Sequence, residues 1–151
     1  MRDRIFVAEH RGGLLRAEQH HQLITWACEC SEHVLHLFGR VADPRLRNAL
    51  GVAAEWKKGS ARVGDARKAS VEAIRVAKEC TDAAAIAVAR SVGHAVATAH
   101  MADHSLRAAW YALKAVKSAG GNTDQETKWQ NDRLPVDIKA LVLTARKGRN
   151  V

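Results

Sequence analysis

His94, His100, Asp103 and His104 are the residues whose types and spacing could do chemistry. Imidazole nitrogens bind transition metals and exchange protons near neutral pH. In a continuous helix His100 and His104, four residues apart, share one face, as in two-histidine metal sites. The helical metalloprotease pattern also needs a glutamate directly after the first histidine to act as base, and Met101 stands there instead. Asp103 reaches the pair as a third ligand only if the backbone bends, and an aspartate at that place also suits a helix N-cap. His100 lies one turn beyond Val88, Val92 and Val96 on the same ridge. It therefore also fits a buried imidazole bonded to a backbone carbonyl or an aromatic neighbour. On the residues alone the cluster either builds the core or lines a pocket. No metal or other cofactor is expected from it.

The remaining candidates are weaker. Cys28 and Cys30 are too close for a relaxed disulfide and lack zinc-finger spacing. On a helix they diverge by about 200°, so one belongs to the core and the other is less buried. Both are expected to be structural, and Cys80 completes an odd count of three. His20, His21, His33 and His36 have no evident partners in sequence. The stretch from 57 to 78 holds seven basic residues, Lys57, Lys58, Arg62, Arg67, Lys68, Arg75 and Lys78, against Asp65 and Glu72, a net of +5. It could make phosphate contacts. However, no helix-turn-helix spacing and no aromatic residues interleave with it, so nucleic acid is a possible partner but not the favoured one. Trp26, Trp56 and Trp110 fall on inner helical faces and are expected in the core. There is no phosphate-binding glycine loop and no nucleophile elbow.

The element that must position the histidines is the stretch from Asp82 to Leu113. Ala85, Ala89, Gly93 and Ala97 form one ridge of small residues, and Ala83, Ala87, Ser91, Ala95 and Ala99 form another. Arg90 is the only charge between Asp82 and Asp103. A surface helix carries a broad polar face, so this one is predicted to be central and contacted on several sides. Other helices are predicted around it. One runs from Ala17 to about Gly39. A second is opened by Asp43-Pro44 and closed by Gly59. A third runs from Ser60 or Asp65 to Cys80. A fifth, either capped by Asp103 after a break near Met101 or continuous with the central helix through a bend, ends at Gly120-Gly121. Thr123 to Glu126 has capping-box spacing before a short helix with Trp129, Pro135 interrupts it, and a last helix covers Val136 to Arg146. The expected architecture is all-α: a compact single-domain bundle of about six helices around the alanine-rich one. Residues 1–11 form a loose arm, with Ile5, Phe6 and Val7 tucked against the body, 12–147 the helical domain and 148–151 a basic tail.

With 151 residues, 47% hydrophobic and 26% charged, the chain is long enough for one proper core. A net charge of +8 suits an acidic partner. The first thirty residues contain no continuous apolar run of the signal-peptide type. The longest uncharged run, 91–102, is 12 residues, shorter than the roughly 20 a membrane span needs. A cytoplasmic protein with no membrane partner is expected.

The residues also carry a family resemblance. The stretches GGLLRAEQHHQL (12–23), WACECSEHVLHLF (26–38), VGDARKAS (63–70), AVARSVGHAVATAHMADHS (87–105), YALKAV (111–116) and LPVDIKALVL (134–143) resemble the bacterial immunity proteins linked to polymorphic toxin systems. The match spreads over residues 12 to 146. The resemblance implies an α-helical, non-enzymatic protein that binds one cognate toxin domain in the producing cell and blocks it. It supplies no catalytic residues, and none are assigned. A protein of this charge favours a toxin with an acidic surface. The alternatives are a helical protein with a histidine-based metal or small-molecule site at His94, His100, Asp103 and His104, or a basic nucleic-acid-binding module. The toxin, the interface and the oligomeric state are not specified by the sequence.

Overall fold

A computed structural model describes residues 4–149. Seven α-helices follow in order: α1 Ala17–His33, α2 Pro44–Lys58, α3 Val63–Glu79, α4 Ala83–Ala97, α5 His104–Ser118, α6 Thr123–Asp132 and α7 Val136–Arg149. Short 3-10 turns cover Arg4–Phe6, Glu9–Arg11 and Leu35–Phe38. The described residues form no strand, only one isolated bridge between Ala8 and Leu15. The all-α bundle is therefore as expected.

The clearest local punctuation acts as predicted. The Asp43 carboxylate accepts from the Arg45 N–H at 2.9 Å, Pro44 takes the first helical position, and Gly59 ends α2 at φ 84°. Asp82 caps α4 by accepting from the Ala85 N–H at 3.0 Å. Other boundaries moved. The first helix stops at His33, and a 3-10 turn carries the chain on towards Gly39. The cap of α6 is Asn122, which accepts from the Gln125 N–H at 3.0 Å, not Thr123. Glu126 is instead drawn away by His33 of α1, so the capping-box spacing is not used. Trp26 is fully buried, whereas Trp56 and Trp110 are only half-buried.

Helix α4 is the centre. Ten of its fifteen residues are buried, and it packs against α1, α2, α3, α5 and the Leu35–Phe38 turn. The small ridges explain how so many neighbours fit. A Cβ placed on Gly93 would lie 2.5 Å from Cδ1 of Ile74 on α3, inside any van der Waals contact. At the same place the Ser70 hydroxyl donates to the Gly93 carbonyl at 2.8 Å. On another side of α4 the Ser91 hydroxyl donates to the Ala108 carbonyl of α5 at 2.7 Å and lies 2.8 Å from the Ser31 hydroxyl of α1. Three helices thus meet at one buried hydroxyl pair with its polar atoms satisfied.

The N-terminal segment joins the body from residue 4 onward. Phe6 is buried, the Arg4 guanidinium donates to the Gly12 carbonyl at 2.9 Å, and Leu15 N–H donates to the Val7 carbonyl at 2.9 Å. Gly13 permits this fold-back, because a Cβ there would sit 2.0 Å from the Val7 carbonyl oxygen. Residues 1–3 of the expected arm and 150–151 of the expected tail lie outside the described residues, while Gly148 and Arg149 continue α7.

Candidate functional site

The central alanine-rich helix ends at Ala97 and the next begins at His104. Thr98 folds its hydroxyl back to the His94 carbonyl at 3.1 Å, and the chain turns through Ala102 before α5 starts. This break rearranges the predicted cluster. His100 and His104 do not share a helical ridge, because no helix spans them. His104 is turned onto α4 instead, and its Nδ1 lies 2.9 Å from Nδ1 of His94. Asp103 holds the N-cap position of α5 but makes no side-chain capping bond. His100 faces elsewhere and lines a separate cleft with His20 and Trp56.

The His94–His104 pair sits in an aromatic setting. Tyr111 stacks nearly parallel on His94, centroids 5.3 Å apart and planes 9° off, and Trp110 meets Tyr111 edge-on at 4.9 Å. The Arg90 guanidinium lies 5.9 Å from the Tyr111 ring centroid and the Lys114 ammonium 5.3 Å from that of Trp110. Burial first, then His104, Arg107 and Arg90, push the His94 imidazole down to about 4. His94 is therefore neutral at physiological pH. Such a pair can share a proton, but the distance is that of a hydrogen bond. Among the described residues no three of His, Cys, Asp and Glu converge where a metal ion could be held.

The thiols are not activated. Burial, with Glu32 next, pushes Cys28 up to about 12, and burial raises completely enclosed Cys30 further still. A nucleophilic cysteine needs the opposite environment. As predicted, one of the two is core and the other less buried.

All seven residues of the predicted basic stretch are exposed. Along α3, Arg67, Val71, Arg75 and Lys78 follow one another at spacings that keep them on one face, with Lys68 beside them. Val71 is half-exposed among these cations. Arg75 is paired with Glu72 at 2.7 Å, and the Lys57 ammonium donates to the Thr25 hydroxyl on α1 at 3.0 Å. The Asp65 carboxylate accepts from the Arg62 N–H at 2.9 Å, so this acid is spent on the start of α3.

Two further constellations escaped the sequence reading. His33 Nδ1 lies 2.6 Å from a Glu126 carboxylate oxygen while its ring stacks flat on Trp129, centroids 3.6 Å apart. Arg133 covers Trp129 at 4.7 Å. Glu126, Trp129 and Arg133 occur at spacings of three and four, the one signal that could have placed them on a common face. The second is internal. Buried Arg146 donates to Gln130 and Asn131 and lies over the Trp26 ring, whose indole N–H donates to the Gln130 carbonyl at 2.8 Å.

The sequence model of the family described as "Imm-5 like putative immunity protein" matches residues 13–137. The chain belongs to this family. No curated protein and no solved structure matches it. The matched span of this immunity-family chain runs from Gly13 to the first turn of α7, and so includes the His94–His104 pair, the cleft residues His20, Trp56 and His100, and the basic face of α3. Among the described residues no helix is long and apolar enough to cross a membrane.

Proposed function

We propose that this chain binds a cognate bacterial toxin domain inside the producing cell and neutralises it without catalysis. Membership of the immunity family gives the class. The observation that carries the binding mode is the exposed cationic face of α3, where Arg67, Lys68 and Lys78 surround the half-exposed Val71. Exposed cations beside an apolar contact are suited to fast, charge-steered association followed by desolvation. The complementary partner is a toxin domain with an acidic surface. His94, His100, Asp103 and His104 are not needed for this role. In this reading the His94–His104 pair holds the junction of α4 and α5.

Co-expression of the chain with its candidate toxin is the test. Rescue of growth and a complex that co-purifies are expected. The double substitution Arg67→Glu, Lys68→Glu should slow association and weaken binding by more than tenfold at low salt, and less at high salt. A complex that forms equally well with both charges reversed would remove α3 from the interface. Steeply salt-dependent binding of DNA or RNA by the free protein, with no rescue, would favour the nucleic-acid module instead.

A further inference from the structure

We infer that the cleft between the N-terminal segment, α1, α2 and the α4–α5 junction is a binding site for a small organic carboxylate. The cleft has a volume of about 290 Å³, room for roughly a dozen heavy atoms and at the small end of ligand sites. Its walls are chemically divided. Phe6, Trp56 and Met101 supply apolar surface for a flat body. The polar groups on it are of one kind: Arg11 and the imidazoles of His10, His20 and His100, with no carboxylate among the described lining residues. The exposed Arg11 guanidinium has no ion pair among the described residues.

One of these groups is rigidly oriented. His20 Nε2 lies 2.6 Å from the Thr98 carbonyl oxygen, which can only accept, so Nε2 carries the proton. The ring is also wedged against Trp56 at 5.0 Å, and His21 meets the same indole edge-on at 5.3 Å. Burial, and the neighbouring His21, His10 and Arg11, lower the proton affinity of His20 in spite of its bond to Thr98. The Arg11 guanidinium supplies the charge for the anionic head, with ring nitrogens beside it and the indole as the platform. The walls of the cleft come from segments far apart in the chain, so the site exists only in the folded protein.

Benzoate and its neutral isostere benzamide, titrated into the full chain and followed by NMR of the Trp56 indole and the His20 and His100 rings, test the assignment. Benzoate should saturate these signals with a Kd of about 1 mM or tighter, and benzamide should not. Arg11→Gln, at an exposed position, should keep the fold and weaken benzoate at least about tenfold, while Arg67→Gln on α3 should bind it as the native chain does. Equal binding of benzamide, unchanged binding by Arg11→Gln, or no saturable change at these rings would overturn the site. So would loss of toxin rescue in Arg11→Gln when the native chain takes no benzoate, because the cleft would then receive an acidic side chain of the partner.

Discussion

The Nδ1 atoms of His94 and His104 face each other at 2.9 Å, although the two residues are ten positions apart and the end of a helix lies between them. Two neutral rings can meet in this way only as different tautomers, one carrying its proton on Nδ1 and the other on Nε2. The contact joins the start of α5 to α4, and its His94 imidazole resists protonation.

That resistance makes stability depend on pH. Above the ordinary value of 6.5 both the folded and the unfolded His94 are neutral. As the pH falls from 6.5 to about 4, the unfolded chain takes a proton that the folded one refuses, so stability is lost across that window. The loss should be of order 2 kcal/mol, since the site is partly open to water. Urea unfolding of the native chain and of His94→Gln, at pH values spanning the window, checks it. The variant should lose less on acidification. Parallel curves would show that His94 is not the group responsible.

Gly93 should tolerate little. Gly93→Leu drives a branched side chain into Ile74 and the Ser70 carbonyl, and should cost about 2–3 kcal/mol. Ile74→Ala in the same chain should recover part of that loss, because it clears the first obstacle. Thermal unfolding of the two single variants and the double variant gives the coupling.

Removing the buried hydroxyl at Ser91 should cost about 1–2 kcal/mol, since it deprives both Ser31 and the Ala108 carbonyl of a partner. Ser31→Ala together with Ser91→Ala should cost less than the sum of the single changes. An additive double variant in denaturant melts would mean that the two hydroxyls act separately.

Thiol accessibility should rank the cysteines. Iodoacetamide should label the partly buried Cys80 first, Cys28 more slowly and Cys30 only on unfolding. Peptide mass mapping over a time course reads the order. Early labelling of Cys30 would contradict its enclosure in the core.

The fold was legible where the chemistry is local. Asp43-Pro44 and Gly59 bound α2 by their own backbone preferences, and the alanine ridges announced a central helix without knowledge of its neighbours. The sequence was less informative where a distant group outcompetes a local pattern. Glu126 has the spacing of a capping box, but His33 of α1 takes its carboxylate, and Asn122 caps the helix instead. The histidine cluster was legible only in part, because where the central helix ends decides which imidazoles meet. A shared face for His100 and His104 needs one helix through residue 104, one of the two courses the sequence allows, whereas the chain turns after Ala97 and parts them. The cleft that holds His100 draws on Phe6 and Trp56 as well, residues brought together only by the tertiary fold.

The small-residue interior has a consequence for change over time. The instructions for packing α4 reside in Ala85, Ala89, Ser91 and Gly93, which are buried. Arg67, Lys68, Val71 and Lys78 lie on the outside of α3 and support none of that packing. With toxin docking on α3 as proposed, recognition and architecture are written in separate sets of positions. A lineage matched against an altering opponent can exchange the outer residues one at a time, and the scaffold beneath need not be rebuilt.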